Sequence, residues 1–407
     1  MRILFLSQVL PYPLDAGPKM RSYYVLRHLV QDHEVTLVTF VRDSDRPEYV
    51  SHLAEFCHNI CTVSMQRSKF RDAKFLLQSM VNQKPFLITR DYVPAMIDTL
   101  QQLTQTQTFD VIHADQLWMA QYALAAKRMQ PTAKLIIDKH NAVHHIPQRL
   151  ANEENNRLKR LFLAREAQLM TQFEPETCQK FDYSVWVTDV DRLAVLPHTA
   201  KTNGHSPSMV IPICASPAQV EPVERKPNGR RITFLGGLHW PPNAQGALWF
   251  AEHVFPKIQA QVPDAVLTAI GKNPPAGLTG PGIETTGYVV DPMPYLAETA
   301  VFIVPLHAGG GMRVKILDAW SWGLPIVSTT IGAEGIDVTS GSDILIADTA
   351  DDFAQAVINV LDDPSLAQRL SHNGRQTVLK KYNWQTVYTA WNTVYQELMR
   401  TEQTEPR

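Results

Sequence analysis

A chain of 407 residues holds more apolar sequence than one hydrophobic core organises well, so two domains are expected. Hydrophobic residues make up 44% and charged residues 19%, with a net charge of −2; this is ordinary globular composition and excludes a global basic field built for nucleic acid. The four cysteines, Cys57, Cys61, Cys178 and Cys214, form no CxxC pair and no zinc-like Cys/His spacing, so reduced thiols and no structural metal are expected.

The first apolar run, Ile3–Leu6, is too short for a secretory leader and is followed directly by Pro11, Tyr12 and Pro13, so it reads as a buried strand. Further buried strands are expected at Val35–Phe40, Val111–His113, Leu135–Asp138 and Tyr183–Val187. Helical patterns at Lys19–Val30 and Trp118–Arg128 lie between them, which implies a parallel sheet covered on both faces. Two segments, 68–77 and 157–165, interleave cations with large apolar residues, a pattern that fits a membrane-facing surface and ordinary amphipathic packing equally well. No run approaches the ~18 apolar residues of a membrane span. A cytoplasmic protein, peripheral at most on the inner face of a membrane, is expected.

After His113 at a strand end, the segment Lys139–His145 places His140, Asn141 and His144 beyond the strand Leu135–Asp138, at the strand ends where open α/β sheets meet a ligand. No carboxylate lies at metal-ligand spacing from these histidines, so no metal is expected there. From about Thr199 to Arg231 the composition turns to Pro, Ser, Asn and charge, a domain hinge interrupted by the apolar run Met209–Cys214.

A second strand–helix series follows, with strands at Arg231–Leu235, Ala265–Ile270, Ile283–Thr285, Val301–Pro305, Pro325–Ser328 and Ile344–Ile346, and helices at Ala244–Ala260, Arg313–Trp322 and Ala350–Leu361. The last helix, Trp384–Met399, carries Trp384, Tyr388, Trp391 and Tyr395 on one face. The expected partition is residues 1–205, a linker 206–230, and 231–383, with the helix 384–399 packing back on the first domain and a polar tail beyond it. The fold class is α/β, two doubly wound Rossmann-like domains facing each other across a cleft.

The segment 301–325 is the most informative. A strand ends at Pro305, the run Gly309, Gly310, Gly311 follows, and a helix begins near Arg313. Glycines let backbone N–H groups approach a ligand, and a helix N-terminus favours an anion. Arg313 and Lys315 in the first turn oppose the helix dipole, an arrangement a bound diphosphate would compensate. Asp318, three residues on, is positioned to accept from sugar or ribose hydroxyls.

This segment resembles the donor-binding motif of the GT-B glycosyltransferases of family 4, the retaining "group 1" transferases. The likeness extends through Phe234–Asn243, Ser328–Ile336, Asp351–Gln355 and Lys381–Trp384, strongly over 230–395 and loosely over 1–200. Family members carry Glu-x7-Glu; here Gly310 stands at the first acid and Asp318 at the second, and the usual Arg and Lys fall near Gly237 and Asn243. The resemblance implies a retaining, metal-independent transfer of a sugar from a nucleotide-diphosphate donor, a UDP- or GDP-sugar, to a glycan or lipid-linked acceptor hydroxyl in polysaccharide or glycoconjugate assembly. No cofactor is implied beyond that donor. It assigns catalytic work to His113, Arg313 and Lys315, with Lys19 or Arg21 assisting near Gly17. Donor contacts fall on Gly17, Gly237, Gly309, Gly310, Gly311 and Asp318, with the base against Tyr288 and Val289, and the acceptor side on His140, Asn141 and His144. Two alternatives stay open: a nucleotide-sugar 2-epimerase of similar fold, and a non-catalytic nucleotide-sugar-binding protein.

Overall fold

Every strand pairing among the described residues is parallel, which is what near-continuous apolar strands separated by helices require. The computed structural model describes residues 1–196, 206–226 and 229–400. The chain divides into two units, Met1–Ile213 together with the chain from Gln385 onward, and Cys214–Trp384.

The first unit holds a seven-stranded sheet in the order β3-β2-β1-β4-β5-β6-β7. Its strands are β1 (Arg2–Ser7), β2 (Glu34–Val41), β3 (Asn59–Ser64), β4 (Val111–Asp115), β5 (Lys134–Lys139), β6 (Tyr183–Trp186) and β7 (Ser208–Val210). β1 lies between β2 and β4, with Ile3 opposite both Val35 and Val111. β4 is buried at every position, and β1 at all but its first, because helices cover both faces. The helix Gly17–Leu29 starts with Pro18 in its first turn, where a missing N–H costs nothing, and ends with Arg27 and His28 against the dipole's negative end.

The second unit holds a six-stranded sheet in the order β10-β9-β8-β11-β12-β13. Its strands are β8 (Arg231–Leu235), β9 (Val266–Ile270), β10 (Ile283–Gly287), β11 (Thr299–Val304), β12 (Ile326–Ser328) and β13 (Leu345–Ile346). Both sheets reverse strand order once, between β1 and β4 and between β8 and β11, and the crevice beyond those carboxyl ends is where open α/β sheets bind ligands.

Several elements differ from expectation. β3 was not expected; it is an edge strand, mostly half-exposed, and lacks the buried apolar run that marks its neighbours. Part of the expected hinge is the edge strand β7, paired with β6 through Val185 and Met209, so the first unit runs past residue 205. Residues 199–205, 227 and 228 of that hinge, and the tail beyond Arg400, lie outside the described residues. The aromatic stripe is buried at all four positions, yet the helix is broken into Trp384–Val387 and Ala390–Arg400. Trp384 stays with the second unit, while Tyr388, Trp391 and Tyr395 join the first.

Candidate functional site

In the second unit, the carboxyl ends of β8 and β11 frame the segments 236–243 and 305–313. The helix Pro241–Trp249 packs directly on the end of β11: a Cβ on Gly246 would lie 2.5 Å from the Pro305 carbonyl oxygen, so only glycine allows this approach. That packing brings Asn243 beside the next helix, Val314–Ser321. Lys315 Nζ donates to Asn243 Oδ1 at 2.9 Å and sits 4.3 Å from the centroid of the Phe234 ring, while Asn243 Nδ2 donates to the Gly237 carbonyl at 2.9 Å. Lys315 is thereby held at the point where the sheet reverses order.

The glycine run behaves as a shaped loop. Gly309 has φ +134° and Gly311 has φ +71°, both strained for any side chain. Arg313 stands at the N-cap position rather than in the first turn, and no side chain caps the helix. Its guanidinium is buried and donates from Nη1 to the carbonyls of Gly310 and Gly311, each at 2.7 Å. It lies so close to Gly309 that a Cβ there would fall 2.6 Å from Nη2. In this structure Arg313 therefore braces the loop and holds its carbonyls inward.

Asp318 and Lys315 lie one turn apart on the same helix, both half-buried. Loss of hydration pulls the Lys315 ammonium down to about 7, with Arg313 adding repulsion and Asp318 opposing both. Loss of hydration likewise pushes the Asp318 carboxyl up to about 7, against the pull of Lys315. Burial thus disfavours the charged form of both groups. The remaining donor-side residues spread differently. Gly237 is half-buried beside Asn243, whereas Tyr288 is exposed and Val289 half-buried beyond β10.

The first unit gathers a second polar cluster at the β1–β4 reversal. Asp115 Oδ2, at the end of β4, accepts from the Ser7 and Ser22 hydroxyls at 2.9 and 2.7 Å, and its Oδ1 pairs with His140 Nε2 at 2.9 Å. Asp138 in β5 takes a bidentate pair from Arg21 Nε and Nη2 at 2.9 and 3.0 Å. Arg21 also donates to the carbonyls of Ile211 and Pro212, and its Cζ lies 5.3 and 5.2 Å from the centroids of the Tyr388 and Trp391 rings. Burial alone would lower its pKa, but Asp138 and Tyr388 together more than offset this and raise it.

Four sequence expectations are corrected here. His113 does not face a ligand: it is fully buried in a central strand, packed on Phe5 and Trp391, with Nδ1 2.8 Å from the Tyr395 hydroxyl. Burial pushes it down to about 3, so the ring is neutral at any working pH. Arg21 is a structural ion-pair partner of Asp138, out of reach of a phosphate, and Lys19 pairs with Asp15 at 2.9 Å. His144 is not open to an acceptor either; its Nδ1 is 3.0 Å from buried Glu174, which also accepts from Lys139 and from two backbone N–H groups. Finally, carboxylates do stand at ligand distance from a histidine: Asp115, Asp138 and His140 offer atoms within 4.8 Å of one another. Asp138 and His140 flank the end of β5, two residues apart, while Asp115 comes from the end of β4 and is brought in only by sheet pairing; the Arg21 guanidinium already supplies positive charge to Asp138. Gly17 opens its helix half-exposed, and Asn141 is half-buried.

Residues 229–363 match the family model described as glycosyl transferases group 1. Among sequence relatives, an uncharacterized 44.6 kDa protein in the cps region of Klebsiella pneumoniae is 21% identical over 96% of this chain and 98% of its own. The capsular polysaccharide biosynthesis glycosyltransferase CapM of Staphylococcus aureus is 25% identical over 30% of this chain and 32% of its own. Among solved structures, Anabaena HepE in complex with UDP and glucose superposes with a TM-score of 0.66 at 12% identity, covering 98% of this chain and all of that one. Residues 229–363 thus match the glycosyl transferases group 1 model, in a chain whose two parallel sheets give it the GT-B fold.

Proposed function

We propose that the chain is a glycosyltransferase that takes a sugar from a nucleotide-diphosphate donor and passes it, with retention at the anomeric carbon, to an acceptor hydroxyl in polysaccharide or glycoconjugate assembly. One observation carries this reading: Lys315 is held by Asn243 at the β8–β11 reversal, one helical turn from Asp318, beside the glycine loop. The donor diphosphate lies against Lys315 and the N-terminus of the helix Val314–Ser321, where ammonium and backbone dipoles stabilise the charge that grows on the leaving phosphate. Arg313 supports this from the loop it braces. Asp318 accepts from a donor hydroxyl. In such a transfer the sugar–phosphate bond breaks as the acceptor oxygen bonds to the anomeric carbon on the same face, and the acceptor proton passes to the departing phosphate.

UDP in the HepE structure supports a nucleotide donor, and CapM supports a polysaccharide context. The chain needs no metal in this reading, because Lys315 and the helix terminus supply the positive potential. A UDP- or GDP-sugar is the donor class to test first. Incubation with radiolabelled donors and with candidate glycan or lipid-linked acceptors should release nucleoside diphosphate only when an acceptor is present. Donor isomerisation without an acceptor would instead point to an epimerase. Tight donor binding without turnover would point to a non-catalytic protein.

A further inference from the structure

The helix Lys69–Asn82 is amphipathic the wrong way round for a water-facing surface. Its inward side places Ser79 in the interior, where the Ser79 hydroxyl and carbonyl meet Arg165 of the helix Arg157–Cys178. Its outward side carries Phe70, Leu77 and Val81 at helical spacing, and these are 84%, 65% and 74% exposed. Isolated exposed apolar residues need no explanation, but a stripe of them does.

The helix that supplies Arg165 exposes apolar residues as well. At the start of the helix Arg157–Cys178, Leu158 and Leu161 are 79% and 66% exposed, and the Phe162 ring lies 6.0 Å from that of Phe86. Exposed cations are interleaved with these apolar groups: Lys69 and Lys74 on one helix, Arg157, Lys159 and Arg160 on the other. Asp72 is the sole acid within 69–82, and it is half-buried; from Arg157 to Arg165 there is none. A chain with net charge −2 has thus concentrated cations where it exposes apolar side chains. Arg157, Lys159 and Arg160 also occupy the first turn, against the helix dipole, and a nearby anionic surface offsets that cost. No described helix is long and apolar enough to cross a membrane, so the surface would rest on a bilayer rather than enter it as a span.

We propose that the outward faces of helices Lys69–Asn82 and Arg157–Cys178 dock the first unit on an anionic lipid bilayer. Phe70, Leu77, Val81, Leu158 and Leu161 enter the acyl boundary while the lysines and arginines meet the lipid phosphates. This docking is independent of what the second unit transfers, so its failure leaves the transferase reading untouched.

The test is flotation of the full chain with vesicles of phosphatidylcholine alone and of phosphatidylcholine with phosphatidylglycerol. Binding is expected to the anionic vesicles only, falling as salt screens the phosphates. The combined variant Phe70→Ser, Leu77→Ser, Leu158→Ser changes only exposed side chains, so its fold and its donor binding should match wild type. Its bound fraction should drop at least about tenfold, as should that of Arg157→Glu, Lys159→Glu, Arg160→Glu. Equal binding of wild type and variants, or no binding to anionic vesicles, overturns the proposal. So does a concentration-dependent dimer, formed without lipid, that the serine variant abolishes; that result would make the face a contact between two copies of this chain.

Discussion

Glu174 illustrates how much one buried carboxylate can organise. It accepts from Lys139 Nζ at 2.6 Å, from the Val143 and His144 N–H groups at 3.0 and 2.8 Å, and from His144 Nδ1 at 3.0 Å, fixing the whole turn after β5. Burial would raise its pKa, but Lys139 and His144 outweigh burial and hold it at about 2. An acid depressed in the fold stabilises above its unfolded value, here 4.5, and that contribution fades as pH falls from 4.5 toward 2. The contribution at neutral pH is on the order of 3 kcal/mol. Urea unfolding at a series of pH values should therefore show stability declining through this window, and Glu174→Gln should flatten the decline. The variant also leaves the Lys139 ammonium buried without its counter-ion, a loss of roughly 3–5 kcal/mol. His113 acts in the same direction over a higher range. The fold keeps it neutral down to about 3, whereas the unfolded ring takes a proton below 6.5, so acid favours unfolding between the two. Tyr395→Phe removes the hydroxyl that meets His113 Nδ1 and should cost about 1–2 kcal/mol by the same assay.

At the scale of elements, the proposed donor site depends on the helix Pro241–Trp249 lying against the end of β11. Gly246→Ala would ordinarily stabilise a helix by up to about 1 kcal/mol. Here the added methyl meets the Pro305 carbonyl, so the helix must shift and Asn243 must move away from Lys315. The expected result is a destabilisation of about 1–3 kcal/mol with weaker nucleotide-sugar binding, measured by thermal melting with and without donor. The strands β1, β2, β4 and β5 are legible in sequence because parallel strands covered on both faces are continuous apolar runs. β3 is not, since an edge strand with half-exposed positions lacks that signature. The glycine run with its cation and acid is legible for the same local reason, as one strand–loop–helix unit. The Asn243 bond to Lys315 spans 72 residues, and the partners of His140 and His144 come from Asp115 and Glu174. Those pairings exist only after tertiary packing. A polar residue ending an apolar strand, as Asp115 and Asp138 do, was the signal available.

For the whole molecule, the chain crosses between units at Ile213 and returns at Gln385. The returning segment is tied to the first unit by Tyr395 on His113 of β4, Tyr388 on Arg21 of the helix Gly17–Leu29, and Glu397 accepting from the Tyr183 hydroxyl of β6 at 2.8 Å. Ending the chain after Trp384 should therefore expose the β4 face and destabilise the first unit selectively. Limited proteolysis should then cut within residues 1–213 well before it cuts the second unit. Equal resistance of both units would show that the returning segment does not support the first.

The central claim is that Lys315 and Asp318 at the β8–β11 reversal hold a nucleotide-sugar diphosphate and its sugar. The most direct measurement is the thermal stability of wild type, Lys315→Met and Asp318→Ala with UDP-, GDP-, dTDP- and ADP-sugars. A donor at a hundred times its dissociation constant should stabilise the wild type by about 2.7 kcal/mol, and both variants should lose most of that gain. If no nucleotide sugar stabilises the wild type, or if the variants respond as it does, the site described here does not bind the donor.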